Sequence, residues 1–212
     1  MDFTLKSASS MLVCGPTQSG KSTFVHNLLA NKNIMFDTEP SKIYWFHGQF
    51  SNDLIGKPYV ITQGLPESFD DVEPNSVIVF DDLMNEAKDH AGVSALFTKH
   101  VHHHNLFVIN ITQNLFLSSK ETRTRRINTQ YIVMFKNPAD QVQILTLSRQ
   151  MYPTDYKFLS QVYINVTKRA HGYIFIDLRQ ETPEEVRIRT NVLPHEQPLI
   201  IFLHKHIPLM QS

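Results

Sequence analysis

The feature that most constrains the fold of this chain is an eight-residue segment near its amino terminus, Gly15 to Ser22, with the sequence GPTQSGKS. The segment matches the pattern G-x-x-x-x-G-K-[ST] at every position. A short apolar run, Met11–Cys14, precedes it, and the residues from Gly20 to Leu29 carry apolar side chains at helical spacing. A strand, a glycine-rich turn and a helix in this order are typical of an α/β protein that holds phosphate groups in the turn.

The chemistry of a phosphate-binding loop, or P-loop, explains each constrained position. Gly15 and Gly20 let the backbone turn tightly and bring its N–H groups to the phosphates, while the helix amino terminus adds partial positive charge. Lys21 places a positive charge on the β- and γ-phosphates, and Ser22 offers its hydroxyl to Mg²⁺. The alternative is a chance match in a polar loop, which the flanking strand and helix disfavour. The predicted ATP-binding residues are Gly15, Pro16, Thr17, Gln18, Ser19, Gly20, Lys21, Ser22 and Thr23.

Short apolar runs along the rest of the chain predict the strands of one sheet. Helical patterns between them, at Gly92–His103 and over much of Ala139–Lys168 with a break at Pro153, predict an α/β fold with a mostly parallel sheet and helices on both faces. We expect one P-loop domain over residues 1–193 and a tail or arm over residues 194–212. The predicted strands are Met11–Cys14, Ile43–Phe46, Pro58–Thr62, Val77–Phe80, Leu106–Ile111, Tyr131–Phe135, Tyr173–Asp177 and, at an edge, Val186–Asn191.

Two adjacent carboxylates follow the apolar run Val77–Phe80. A P-loop needs an acidic partner for its magnesium at the end of a buried strand, and we assign that role to Asp81. Asp82 would face the γ-phosphate and polarise the attacking water. The alternative is that the two residues only end a strand in a turn, but their pairing with the P-loop favours a catalytic role.

Gln113 follows another predicted strand, Leu106–Ile111. Ligands in sheets of this type lie at the carboxyl ends of the strands, so its amide is predicted to sense the γ-phosphate and help to hold the water. The alternative is a cap that bonds the backbone at the strand end.

Three arginines, Arg123, Arg125 and Arg126, lie beyond Gln113 in a polar stretch. A P-loop ATPase that works as a ring often takes an arginine from a neighbouring subunit, and we predict this role for the segment, with Arg126 as the leading candidate. A solvated or DNA-facing basic strip is the alternative, and both roles are compatible with the same cluster.

Composition sets broad limits on the kind of protein. The chain carries 20 basic and 20 acidic residues, so its charge argues neither for nor against nucleic acid as a partner. No apolar run is close to the length of about eighteen residues that a membrane-spanning helix needs. The single cysteine, Cys14, excludes an internal disulfide, favours an intracellular protein and is predicted to be a buried apolar residue.

The histidines at 100, 102, 103 and 104 are predicted to form a solvated or partner-facing helix end rather than a metal site.

The ordered set of these motifs resembles the viral genome-packaging ATPases of the FtsK–HerA branch. The likeness is greatest to the short poxvirus-type form found in large eukaryotic DNA viruses, virophages and Maverick/Polinton elements, and it runs over about residues 9–193. Asp82 departs from the general pattern of the branch, in which Glu is usual at that position. The segments that carry the likeness are Gly15–Thr23, Val77–Leu83, Asn110–Phe116, Tyr131–Asp140, His171–Leu178 and Arg187–Asn191.

The resemblance implies a RecA/FtsK-like fold and a homo-oligomeric ring that hydrolyses ATP with Mg²⁺. It further implies translocation of double-stranded DNA into a capsid, with capsid or portal proteins as partners, in the nucleus or cytoplasm of a host cell at the site of virion assembly. Two other functions are compatible with the P-loop. One is a small nucleotide or metabolite kinase, and the other is a nucleotide-binding scaffold for assembly.

Overall fold

A single nine-stranded sheet organises the chain. The computed structural model describes residues 3–83, 86–87, 90–96, 101–116 and 129–202. The strands are rich in β-branched and aromatic residues, as expected for buried strands. They are β1 Ser10–Cys14, β2 Ile43–His47, β3 Val60–Gln63, β4 Val77–Asp81, β5 Phe107–Thr112, β6 Tyr131–Phe135, β7 Tyr173–Asp177, β8 Ile188–Thr190 and β9 Leu199–Ile201.

The strand order is β3-β2-β4-β5-β1-β6-β7-β8-β9. The first six strands in this order are parallel, and β7, β8 and β9 continue the sheet in antiparallel pairs. Because parallel strands point the same way, the carboxyl ends of β1, β2, β4 and β5 meet at one edge. β5 lies between β1, which leads into the P-loop, and β4, which ends in Asp81.

Helices cover both faces of the sheet. α1 (Lys21–Ala30) and α2 (Lys32–Met35) pack on one face. The other face carries α3 (Ala91–Ala95) and α4 (Val101–His103) near β4 and β5, and α5 (Val142–Met151) and α6 (Lys157–Val166) near β6 and β7. None of the helices in the described part of the chain is long and apolar enough to cross a membrane.

Helix α1 is anchored to the sheet by its apolar face. Phe24, Val25, Leu28 and Leu29 are each at most 3% exposed. Full burial of such a side chain contributes about 1.5–3 kcal/mol, so these residues fix the helix firmly against the strands. The packing thereby fixes the amino-terminal turn of α1, which carries Lys21 and Ser22, relative to the ends of the strands.

The predicted α/β fold, with a mostly parallel sheet and helices on both faces, is confirmed. Two details of the strand prediction were wrong. The third strand begins at Val60 rather than at Pro58, since a proline has no N–H to donate to the ladder. The predicted edge strand Val186–Asn191 contains β8, but β8 lies inside the sheet, and the edge is β9 at Leu199–Ile201, in the segment that we predicted as a tail.

A buried ion pair holds the antiparallel end of the sheet. Asp177 is completely buried at the end of β7, and its carboxylate accepts hydrogen bonds from Arg179 Nε at 3.1 Å and Nη2 at 2.9 Å. We expect Asp177→Ala to lower the free energy of unfolding by about 3 kcal/mol, because it leaves a largely buried guanidinium without its partner. Urea unfolding of the variant measures this loss.

The matched control for that prediction is Glu184→Ala. Glu184 pairs with Arg187 at 2.7 Å, but its side chain is 65% exposed. Removal of an exposed partner typically changes stability by about 0–1 kcal/mol. Equal destabilisation by both variants would contradict a specific role of the buried pair.

Candidate nucleotide-binding site

The turn between β1 and α1 has the backbone of a phosphate-binding loop. Gly20 caps α1 with a φ of 107°, and Gln18 also has a positive φ of 62°. At Gly15 a Cβ atom would lie 2.8 Å from Phe135 Cβ and 2.9 Å from Ser19 Oγ, so only glycine fits there. Gly15 and Gly20 thus take up a tight fit and a positive φ that a side chain would strain.

The side chain of Lys21 folds back onto the loop. Its Nζ donates hydrogen bonds to Gly15 O at 2.8 Å and to Pro16 O at 2.9 Å. Burial lowers the pKa of Lys21, while Asp81 and Asp82 act in the opposite direction. Lys21 thus bonds the loop carbonyls and also interacts electrostatically with the acidic residues at the end of β4.

The loop holds an unpaired donor, the hydroxyl of Ser19. Ser19 Oγ is buried and has no hydrogen-bond partner among the described residues. The first turn of α1, which the structure describes in full, holds no acidic side chain. A helix amino terminus without a local carboxylate favours a bound anion, so the loop fits phosphate groups well.

Asp81 and Asp82 differ in their surroundings. Asp81 is half-buried at the end of β4, and burial raises the pKa of its carboxyl; Asp82 raises it further, while Trp45, Lys21 and His47 lower it. Asp82 is exposed and has a left-handed backbone with a φ of 55°. Both carboxylates therefore interact electrostatically with Lys21, and Asp81 is the less exposed of the two.

Ser22 and Asp81 would be the protein ligands of a magnesium ion. Both present hard oxygen atoms, and Mg²⁺ usually takes only one or two such groups from a protein and completes its shell with water and phosphate oxygens. Among the described residues, no group of three or more His, Cys, Asp or Glu side chains is arranged to hold a metal ion. The two oxygen donors fit a magnesium ion that is bound together with a nucleotide.

Gln113 lies directly beyond β5, between the P-loop strand and β4, and its side chain is exposed. The turn that follows is tied to α5. Gln143 accepts a hydrogen bond from the backbone N–H of Leu115 at 2.5 Å and donates to Asn114 Oδ1 at 3.2 Å. These two hydrogen bonds hold the turn that carries Gln113. Sequence patterns do not indicate them, because Gln143 lies 28 residues from Leu115.

A cavity of about 460 Å³ opens beside the loop. Its wall includes Lys21, Ser22 and Thr23, and on the far side Tyr173, His195 and Glu196. His171, from the turn before β7, also lines it and donates from Nδ1 to Ser19 O at 3.0 Å. The cavity has the volume of a small-molecule pocket. Sequence patterns did not place His171, Tyr173, His195 and Glu196 beside the loop, because these residues lie far from the motif along the chain.

Several predicted residues lie outside the described part of the chain. Arg123, Arg125 and Arg126 are among them, so their role in a neighbouring subunit stays a prediction. Of the four histidines near residue 102, His100 is also outside this part, and His103 is exposed at the end of α4.

Cys14 is buried under the P-loop at 2% exposure. Burial raises the pKa of its thiol to about 12, although Lys21 partly opposes this shift. Since the thiolate is the reactive form, we expect a disulfide-exchange reagent at pH 8 to label the folded protein about 10³-fold more slowly than the unfolded protein. Rapid stoichiometric labelling of the native protein would contradict the buried position.

The chain is similar to known proteins in its structure rather than in its sequence. No protein-family model matches the chain, and no curated protein matches its sequence. The structure is similar to the crystal structure of B204, the DNA-packaging ATPase of Sulfolobus turreted icosahedral virus. The TM-score is 0.57 at 12% identity, over 94% of this chain and 100% of that one.

A second similar structure is the genome-packaging NTPase B204 of Sulfolobus turreted icosahedral virus 2 in complex with AMPPCP. The TM-score is 0.56 at 14% identity, over 91% of this chain and 98% of that one. The same NTPase in complex with ATP-gammaS gives a TM-score of 0.54 at 16% identity, over 86% and 95% of the two chains. Identities this low show a shared fold, and this fold is that of an α/β P-loop NTPase.

Proposed function

We propose that this chain is an ATP-hydrolysing motor that translocates double-stranded DNA into a viral capsid. The observation that carries the proposal is the meeting of Lys21, Asp81 and Asp82 at the carboxyl ends of β1 and β4, with the strand of Gln113 between them. The shared fold with two viral packaging NTPases supports the packaging role.

Each residue of the site has a separate role in the proposed reaction. The loop backbone and Ser19 hold the phosphates, and Lys21 leaves the carbonyls of Gly15 and Pro16 to neutralise the β- and γ-phosphates. A magnesium ion held by Ser22 and Asp81 would supply further positive charge at the transferred phosphoryl group. The nucleoside part of ATP would occupy the cavity beside the loop.

Asp82 and Gln113 would act on the attacking water. The exposed carboxylate of Asp82 accepts a proton from the water, and the amide of Gln113 holds the water in line and senses the γ-phosphate. An arginine of a neighbouring ring subunit, with Arg126 as the leading candidate, completes charge stabilisation in this proposal.

Measurement of ATP hydrolysis with and without long double-stranded DNA, at a stated salt concentration, tests the proposal. We expect hydrolysis that DNA stimulates. Turnover that is indifferent to DNA would contradict a DNA motor. Transfer of the γ-phosphoryl group to a small acceptor would identify a kinase instead, and nucleotide binding without any turnover would identify an assembly scaffold.

A further inference from the structure

Two buried polar groups on β2 have no hydrogen-bond partner among the described residues. They are the indole N–H of Trp45 and Nδ1 of His47. The two side chains are 0% and 3% exposed. Buried polar groups nearly always have a partner in native proteins, so each exception needs an explanation. Two exceptions on one short strand point to a partner whose position changes when a ligand binds.

The sheet places both groups next to Asp81. β2 and β4 are parallel neighbours, in which Trp45 pairs with Val79 and His47 pairs with Asp81. Alternate residues of a strand share one face, and paired residues of neighbouring strands share it too. Trp45 and Val79 belong to the core cluster that α1 covers. Trp45, His47 and Asp81 therefore lie on the face from which Lys21 and Ser22 approach.

The carboxylate of Asp81 is affected electrostatically by both side chains. The Trp45 indole N–H and the His47 ring each act to lower the pKa of Asp81, against the larger effect of burial. The indole N–H lies beside the carboxylate without completing a hydrogen bond. A rotation of the Asp81 side chain is sufficient to change the distances from its oxygens to the Trp45 N–H and to His47 Nδ1.

Packing fixes the two rings in place. Trp45 stacks on His26 at 4.6 Å between ring centroids and on Tyr59 at 5.6 Å. His47 meets the ring of Phe50 edge to face at 5.6 Å. Gly48, the next residue, donates its backbone N–H to Asp81 O at 3.2 Å, which ties the end of β2 to the end of β4. A change of orientation is therefore easier for the short Asp81 carboxylate than for the two packed rings.

We propose that Trp45 and His47 are positioning residues that hold the Asp81 carboxylate in the orientation needed to bind magnesium with a nucleotide. The inference rests on the proposed nucleotide-binding function of the loop. In this arrangement the indole N–H and the Nδ1–H of His47 donate to the carboxylate, and one oxygen remains directed towards the metal. Partners of this kind fix the orientation of a metal ligand, and their loss typically costs 10–100-fold in metal affinity.

The fluorescence of Trp45, the only tryptophan of the chain, reports this site directly. We expect Mg²⁺ added to the ADP-saturated protein to change this fluorescence and to yield a dissociation constant. His47→Phe, which keeps an aromatic ring but has no polar atom, should raise that constant about 10–100-fold. His47→Asn, whose amide can replace Nδ1, should recover most of the affinity. Trp45→Phe lacks the fluorophore, so its magnesium affinity is measured by calorimetry. We expect this affinity to fall as it does in His47→Phe.

Tyr59→Phe is the matched control. It removes one polar atom from another ring that contacts Trp45, but its hydroxyl faces His26 Nδ1 at 3.4 Å rather than Asp81. Its magnesium affinity should equal that of the wild type. ADP affinity in EDTA should be the same in all these proteins, which shows that the loop itself is intact.

Wild-type magnesium affinity in both His47→Phe and Trp45→Phe would overturn the inference and leave the proposed function standing. Equal losses in His47→Asn and His47→Phe would also overturn it, because ring packing rather than a polar contact would then be responsible. A wild type whose nucleotide binding is independent of Mg²⁺ would overturn the proposed function as well.

Discussion

Replacement of Lys21 with alanine should lower the rate of ATP hydrolysis by about 10²–10³-fold, the usual effect of removing one positioned group that stabilises transition-state charge. The lysine lies within hydrogen-bond distance of two loop carbonyls and interacts with both carboxylates at the end of β4. Its loss leaves the charge that develops on the transferred phosphoryl group without its nearest cation from the loop. A steady-state phosphate-release assay measures the effect.

Lys32→Ala is the control for this result. It removes the same charge from α2, where Lys32 pairs with Glu39 at 2.6 Å away from the loop. This variant should hydrolyse ATP at the wild-type rate. If Lys21→Ala retained most of the activity, the proposed role of the loop in hydrolysis would be wrong.

The second large effect is expected from Asp82→Asn. Asn has nearly the same shape and, like Asp, enters the left-handed backbone region several-fold more often than other non-glycine residues, so the φ of 55° should be kept. The amide cannot accept a proton from water. We therefore expect the turnover number to fall by about 10²–10⁴-fold while ATP binding is retained.

Asp71→Asn provides the comparison for Asp82→Asn, since Asp71 is an exposed carboxylate in the loop before β4. Wild-type turnover is expected for it. Should Asp82→Asn hydrolyse ATP normally, another group must activate the water, and the exposed carboxylate at the end of β4 would have no catalytic role.

Part of the site could be predicted from the sequence by one rule: ligands of such sheets lie at the carboxyl ends of the strands. Apolar runs located β1, β4 and β5, and the residues Gly15, Asp81 and Gln113 lie at or just beyond the ends of these runs. The same rule applied to Ile43–Phe46 would have singled out His47, which directly follows that run. It was missed because a single histidine has no motif that relates it to a P-loop.

Features that depend on long-range pairing were beyond the reach of sequence patterns. The position of β5 between β1 and β4 is set by the strand order, which local periodicity does not encode. β9 is only three residues long and lies in a segment rich in His, Pro and Leu, so its apolar character gave no strand signal. The cavity wall at His171 and Glu196 likewise depends on turns that tertiary packing brings to the loop.

The most direct test of the central claim is displacement of a third DNA strand from a triplex by the moving protein. A duplex that carries a triplex-forming oligonucleotide is mixed with the protein and ATP, and release of the oligonucleotide is followed over time. We predict release that requires ATP and that Lys21→Ala abolishes. Rapid ATP hydrolysis on this DNA without any release of the third strand would contradict the proposal that the chain is a DNA translocase.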